Sequence, residues 1–128
     1  MLIAMLYAKK SLNYLASISV FRRLGLLFLY FSRKNVGGIY QQHLEQARKT
    51  GIWNYLKMKN FIHVNTDGYL NPYSKVYDIS EVKKDFPNFS VLDSHQHFMH
   101  APPLKVKWLP LENLLGWHLW VHLKPNKK

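Results

Sequence analysis

Phe89-Ser-Val-Leu-Asp-Ser-His-Gln-His-Phe98 and Gly116-Trp-His-Leu-Trp-Val-His-Leu-Lys-Pro125, joined by 17 residues that include Pro102, Pro103 and Pro110, decide how this chain is read. Both stretches alternate apolar and polar side chains and are rich in residues that suit a pleated, half-buried surface. That pattern predicts a closing antiparallel strand pair.

Upstream, Leu2-Ile-Ala-Met-Leu-Tyr-Ala8 is almost continuously apolar. Such a run suits a strand buried on both faces, as parallel strands are. Ser11 is placed to cap a helix running to Phe31, with Leu12, Leu15, Val20, Leu24, Leu27 and Phe31 as its inward stripe. Asn35-Val-Gly-Gly38 breaks that helix, and Ile39 to Lys49 reads as a second, more polar one ended by Gly51. From Ile52 no regular element is predicted. Phe61 to Tyr73 carries Asn-Thr-Asp-Gly and Asn-Pro turn formers and reads as a polar loop, the kind of segment that carries function. Ser80 is the expected cap of a short helix, Glu81 to Phe86, stopped by Pro87. The order is strand, helix, helix, polar loop, short helix, strand, strand, an α/β arrangement.

With 128 residues, 48% hydrophobic and 20% charged, the chain suffices for one domain and a modest core. It has no cysteine, which excludes disulfides and thiolate zinc sites and fits a reducing, cytoplasmic setting. Charge is lopsided: Met1 to Asn60 hold ten Lys/Arg against Glu45 alone, whereas Phe61 to Lys128 hold eight against six acids. A basic half of this kind meets phosphate, an anionic membrane surface, an acidic protein, or an acidic segment that packs beside it. Ser11 to Ser32 is apolar enough to raise a membrane span, but Arg22 and Arg23 sit at its middle. Each would cost roughly 2.5–3.5 kcal/mol at the bilayer centre. An interfacial helix with peripheral membrane contact is the milder expectation, and the basic pair inside the apolar run argues against a signal peptide.

His95 and His97 share one strand face, His100 lies just beyond, and His118 and His122 share another. No helical His-x-x-x-His motif and no Asp/Glu-His pairing accompanies them, so no metal site is expected. Trp108, Trp117 and Trp120 read as sheet and core packing, not as base-stacking platforms, and nucleic acid is not an expected partner. Lys124, Lys127 and Lys128 read as a solvated end.

Three segments carry a family resemblance. Met5-Leu-Tyr-Ala-Lys-Lys-Ser-Leu-Asn-Tyr14, His63-Val-Asn-Thr-Asp-Gly68 with Asn71-Pro-Tyr-Ser-Lys-Val-Tyr77, and Gly116-Trp-His-Leu-Trp-Val121 resemble the C-terminal half of class I S-adenosylmethionine-dependent methyltransferases of the small-molecule type. The resemblance implies a partial Rossmann-like sheet. In it Leu2–Ala8 is the fifth strand, Phe89–Phe98 the sixth, and Trp117–Lys124 the seventh, antiparallel and lying between the other two. Ser11 to Tyr77 is then a helical substrate-side insertion. The family's Gly-rich turn and ribose-holding acid are not found, since Gly37-Gly38 sits between two helices. Weak or no binding of S-adenosylmethionine by this chain alone is therefore expected. The cofactor-binding segment would be a separate N-terminal half, or its loss reflects a truncated gene product.

Ligands of open α/β sheets bind beyond the carboxyl ends of the strands, which makes Tyr7, Ser11, Asn13 and Tyr14 candidate substrate-binding residues. Should catalysis need a base, His63 is the first candidate and Asp67 the second; a loop-bracing role is the alternative for His63. Asn65 and Asn71 are candidate substrate-binding residues or Asx-turn formers. The expected organisation is one partial domain over 1–128: strand five and its exit (1–10), insertion and polar loop (11–77), and short helix with closing strands (78–128). The expected function is methyl transfer to a small-molecule or lipid-like acceptor, inactive in this fragment alone. The alternative is a non-enzymatic basic module that binds a membrane surface or partner protein through the apolar helix 11–31. An open strand edge predicts self-association.

Overall fold

The computed structural model describes residues 1–68 and 70–127; Tyr69 of the polar loop and Lys128 of the basic tail lie outside the described residues. The described chain is α/β and forms two compact units, one of residues 1–17 with 76–127 and one of Ile18–Lys75.

The first unit is built on a four-stranded mixed sheet. β1 (Leu2–Ala8) runs antiparallel to β4 (His118–Pro125), from Leu2 opposite Leu123 to Tyr7 opposite His118. β3 (Phe89–His97) flanks β4 on its other side, also antiparallel. β2 (Val76–Tyr77) adds two residues in parallel to the end of β1, giving the order β2-β1-β4-β3. β1 and β3 are therefore parallel to each other with β4 reversed between them. Beyond Tyr7 and Ala8, no described strand pairs with the outer edge of β1.

One sheet face is the core. Ala4, Leu6 and Ala8 of β1 and Leu119, Val121 and Leu123 of β4 pack with Val82 of α5 (Ile79–Asp85). The other face is largely uncovered: Ile3 is 49% and Met5 41% exposed, so β1 is not buried on both faces as its apolar run predicts. Antiparallel pairing with β4 explains the difference, because such sheets need only one covered face. α5 is capped by Asp78, not Ser80. Asp78 accepts the Glu81 N–H at 3.0 Å and Glu81 accepts the Asp78 N–H at 3.0 Å, a closed capping box. Ser80 instead donates its hydroxyl to Asp78 at 2.6 Å.

A bulge interrupts β3: Val91 faces Leu123 and Asp93 faces His122, leaving Leu92 unmatched. Between β3 and β4, Met99, Ala101 and Val106 form a second cluster with Leu12, Leu109 and Leu115, and α6 (Glu112–Leu115) leads into β4. Trp117 is 5% exposed and fits the packing expectation, but Trp108 is 77% exposed on this connection and packs no core.

The helix begun at Asn13 is π-wound to Arg22 and continues as α1 (Arg23–Ser32), with Ile18 onward belonging to the second unit. The stripe expected to face inward is mostly outside. Leu15, Val20, Leu24 and Phe31 are exposed, while Ser11, Asn13, Ser17, Ile18 and Leu26 are buried. Wider π-winding shifts which residues share a face, so a 3.6-residue stripe misassigns them. α2 (Gly38–Thr50) ends at Gly51, whose φ of 83° favours glycine. The stretch after Ile52, read as irregular, holds two short helices, α3 (Ile52–Tyr55) and α4 (Met58–Val64). Leu44, Ala47, Ile52, Leu56, Phe61 and Ile62 are buried in this unit together with Ile18, Leu26 and Tyr55.

Candidate functional site

The carboxyl end of β1 gathers the first unit's chemistry. Tyr7, near the end of β1, stacks on Trp117 with ring centroids 4.7 Å apart and planes 19° from parallel. Ser11 is fully buried; its hydroxyl donates to the Ala8 carbonyl at 2.7 Å and accepts the Tyr14 N–H at 3.1 Å, the N-cap role expected of it. Asn13, 2% exposed, holds a side-chain Oδ1 with no hydrogen-bond partner among the described residues. A buried acceptor left unpaired costs about 1–3 kcal/mol, and a ligand's O–H or N–H removes that cost. Ser17 donates its hydroxyl to the Pro102 carbonyl and ties the helix start to the β3–β4 connection. That connection encloses an apolar hollow of about 450 Å³ lined by Met99, His100, Pro102, Leu104, Val106 and Trp108.

Lys9 closes the same end of β1. Its ammonium lies 2.9 Å from Glu81 and 3.9 Å from Asp78. The hydrogen bond with Glu81 raises the Lys9 pKa and lowers that of Glu81, and the Ser80 hydroxyl is the first cause lowering that of Asp78. All three side chains are partly solvated, so the network mainly orients β1 against α5.

The polar-loop candidates lie in the second unit, and His63, Asp67 and Asn71 form one knot around Ser74. His63 Nδ1 accepts the Ser74 N–H at 2.8 Å, and its ring stacks on Tyr73 at 5.3 Å. With Nδ1 occupied as an acceptor, the neutral ring carries its proton on Nε2, which makes it a donor there. This is the loop-bracing geometry. Asn71 donates to the His63 carbonyl at 3.2 Å and to the Ser74 hydroxyl, which Thr66 also reaches. Ser74 points its hydroxyl at Asp67 at 3.5 Å. Asn65 donates to the Phe61 carbonyl at 3.0 Å, while its own carbonyl accepts from Arg22 at 3.0 Å. His63, Asp67 and Asn71 are thus brought together around Ser74, whereas Asn65 bonds Phe61 and Arg22 instead; Tyr7, Ser11, Asn13 and Tyr14 lie along the exit of β1 in the other unit.

Sequence reasoning passed over Trp117, Ser17, Lys9 and Ser74. Trp117 was legible only through the β1–β4 register, and Ser74 through the density of turn formers around it. Ser17 carried no signal. No protein-family model, no characterised protein and no solved structure matches this chain.

The described residues do not fit a nucleoside methyl donor. The strand-to-helix turn Lys9-Lys10-Ser11-Leu12 has no glycine, and Gly37 and Gly38 cap and open α2 after another helix, not after a strand. Asp78, the acid at the end of β2, is committed to the capping box and to Lys9.

Proposed function

We propose that this chain supplies the acceptor-binding half of a class I S-adenosylmethionine-dependent methyltransferase, with a small or lipid-like acceptor. One observation carries the reading: β4 lies reversed between two mutually parallel strands, in the order β1-β4-β3. The resemblance implies that order for strands five, seven and six. Support also comes from the buried Oδ1 of Asn13 and the Tyr7–Trp117 stack at the carboxyl end of β1, where such sheets bind ligands. In this reading Asn13 accepts a hydrogen bond from the acceptor and Tyr7 packs its body. The methyl donor is held by residues outside this set, and rate enhancement comes chiefly from placement of the acceptor.

The test joins this chain to the cofactor-binding half of a small-molecule methyltransferase and measures methyl transfer from labelled donor to a panel of hydroxyl, amine and quinol-like acceptors. Transfer that needs both halves, and that falls at least about tenfold in Asn13→Ala, is expected. Tight donor binding by this chain unaided would refute the reading.

A second reading has its own observation. The stretch Asn13–Ser32 is 20 residues long with mean hydropathy 1.4, long and apolar enough to cross a bilayer, and is only 17% buried. Leu24, Phe28 and Phe31 are exposed along α1, and the exposed Arg33 and Lys34 follow its end. An interfacial helix on an anionic membrane follows from that pairing. Salt-sensitive co-sedimentation with anionic, but not neutral, vesicles is its expected signature.

A further inference from the structure

The uncovered sheet face carries a feature independent of methyl transfer. Regular pairing onward from Val91 opposite Leu123 would set Leu92 opposite His122 and turn Asp93 to the core face. The bulge at Leu92 inverts that phase, so Asp93 lies directly opposite His122 and His95 stands on its diagonal, opposite Trp120. A carboxylate and two imidazoles thereby meet on one face. Their ligand atoms all lie within 4.8 Å of one another, and the two rings are 5.9 Å apart between centroids.

The neighbouring histidines are otherwise engaged. His97 Nδ1 lies 3.0 Å from Glu112, and His118 stacks on Phe98 at 4.8 Å. We infer that Asp93, His95 and His122 form a binding site for a single divalent transition-metal ion of the zinc type.

Donor chemistry selects the ion. Two imidazoles and one carboxylate suit zinc, cobalt or nickel, whereas magnesium and calcium call for oxygen ligands throughout. Bonds of about 2.0–2.2 Å around a tetrahedral ion place ligand atoms roughly 3.4 Å apart. Small rotamer changes at three surface side chains close the present separations to that value. Asp93 and His95 are exposed and His122 is half-buried, so the ion enters from solvent and keeps a fourth position for water.

Calorimetric titration of zinc into the tag-free full chain at pH 7.5 tests the site. One ion per chain is expected, with affinity falling at least about tenfold in Asp93→Asn and in His122→Gln, and unchanged in His97→Gln. Loss in His97→Gln equal to that in His122→Gln, an affinity unmoved by the His95→Gln/His122→Gln double variant, or no binding would each overturn the assignment. Cobalt spectra of the unaltered chain do not depend on the variants folding. An intense tetrahedral band saturating at one equivalent supports the site, and only the weak spectrum of the hydrated ion refutes it.

Discussion

Replacing Gly116 with alanine puts one methyl group where three backbone atoms already lie. A Cβ there would sit 2.5 Å from the Glu112 carbonyl oxygen, 2.5 Å from the His97 carbonyl oxygen and 2.7 Å from the His97 carbonyl carbon. Ordinary contact begins near 3.4 Å, so the backbone must yield by about 0.9 Å. His97 is the last residue of β3 and pairs with His118, while the Gly116 N–H closes α6 on Glu112 at 2.9 Å. No flexible side chain can absorb the shift. Overpacking of this kind costs about 1–3 kcal/mol, and loss of the α6 bond adds about 1 kcal/mol. A total near 3 kcal/mol lowers the melting temperature of a chain this size by about 10 °C. The control is Gly25→Ala, inside α1 with nothing within 4 Å of the new Cβ. Helix propensity predicts a gain of about 1 kcal/mol and a melting temperature about 3 °C higher. Thermal unfolding followed by circular dichroism reads both variants. A Gly116→Ala protein melting within about 2 °C of the parent would show that the junction is loose and the reasoning wrong.

Tyr55, its pKa pushed up to about 12 by burial, shares a hydrogen bond between its hydroxyl and His43 Nδ1 at 2.6 Å. Tyr55→Phe should cost about 1–2 kcal/mol in urea unfolding, and a cost near zero would count against a buried, partnered pair. Burial first, and Arg22 second, hold the His43 pKa below its ordinary value. A depressed histidine contributes stability that is full above the unfolded value near 6.5 and is lost as pH falls through the folded one. Unfolding midpoints should drop between pH 7 and pH 5, and the drop should shrink in His43→Gln. Asp78 and Glu81, both lowered, contribute stability present above the ordinary carboxylate range and lost on acidification through their folded values. Asp78→Ala should cut the melting temperature by a few degrees at pH 7 and by almost nothing near pH 2; equal losses at both would remove the capping box as the cause.

The strands were the legible part. Alternation at Phe89–His97 and His118–Pro125 is strong, and the continuous apolar run of Leu2–Ala8 is bounded by Lys9 and Lys10. The short elements were not legible. α3, β2 and α6 have two to four residues, too few for any period to show. The helix is legible from sequence but its facing is not, because π-winding changes the repeat on which a 3.6-residue stripe rests. Ser80 looked like a cap because it is a good one; Asp78 won because Glu81 stands three residues on and can answer it. At the site, proximity to the strand end pointed to Tyr7, Ser11 and Asn13, whereas the meeting of Asp93 with His122 depends on a bulge that no local pattern announces.

The position of β4 has a consequence for biosynthesis. It is an interior strand of its sheet, yet it is translated after every other described element. Leu2 waits for Leu123, so the emerging polypeptide carries an unmatched apolar ribbon while more than a hundred residues leave the ribosome. Pairings this distant close slowly and leave sticky surface open to neighbours. A stop codon anywhere before Trp117 would therefore remove the strand that joins β1 to β3, splitting the sheet instead of trimming its edge.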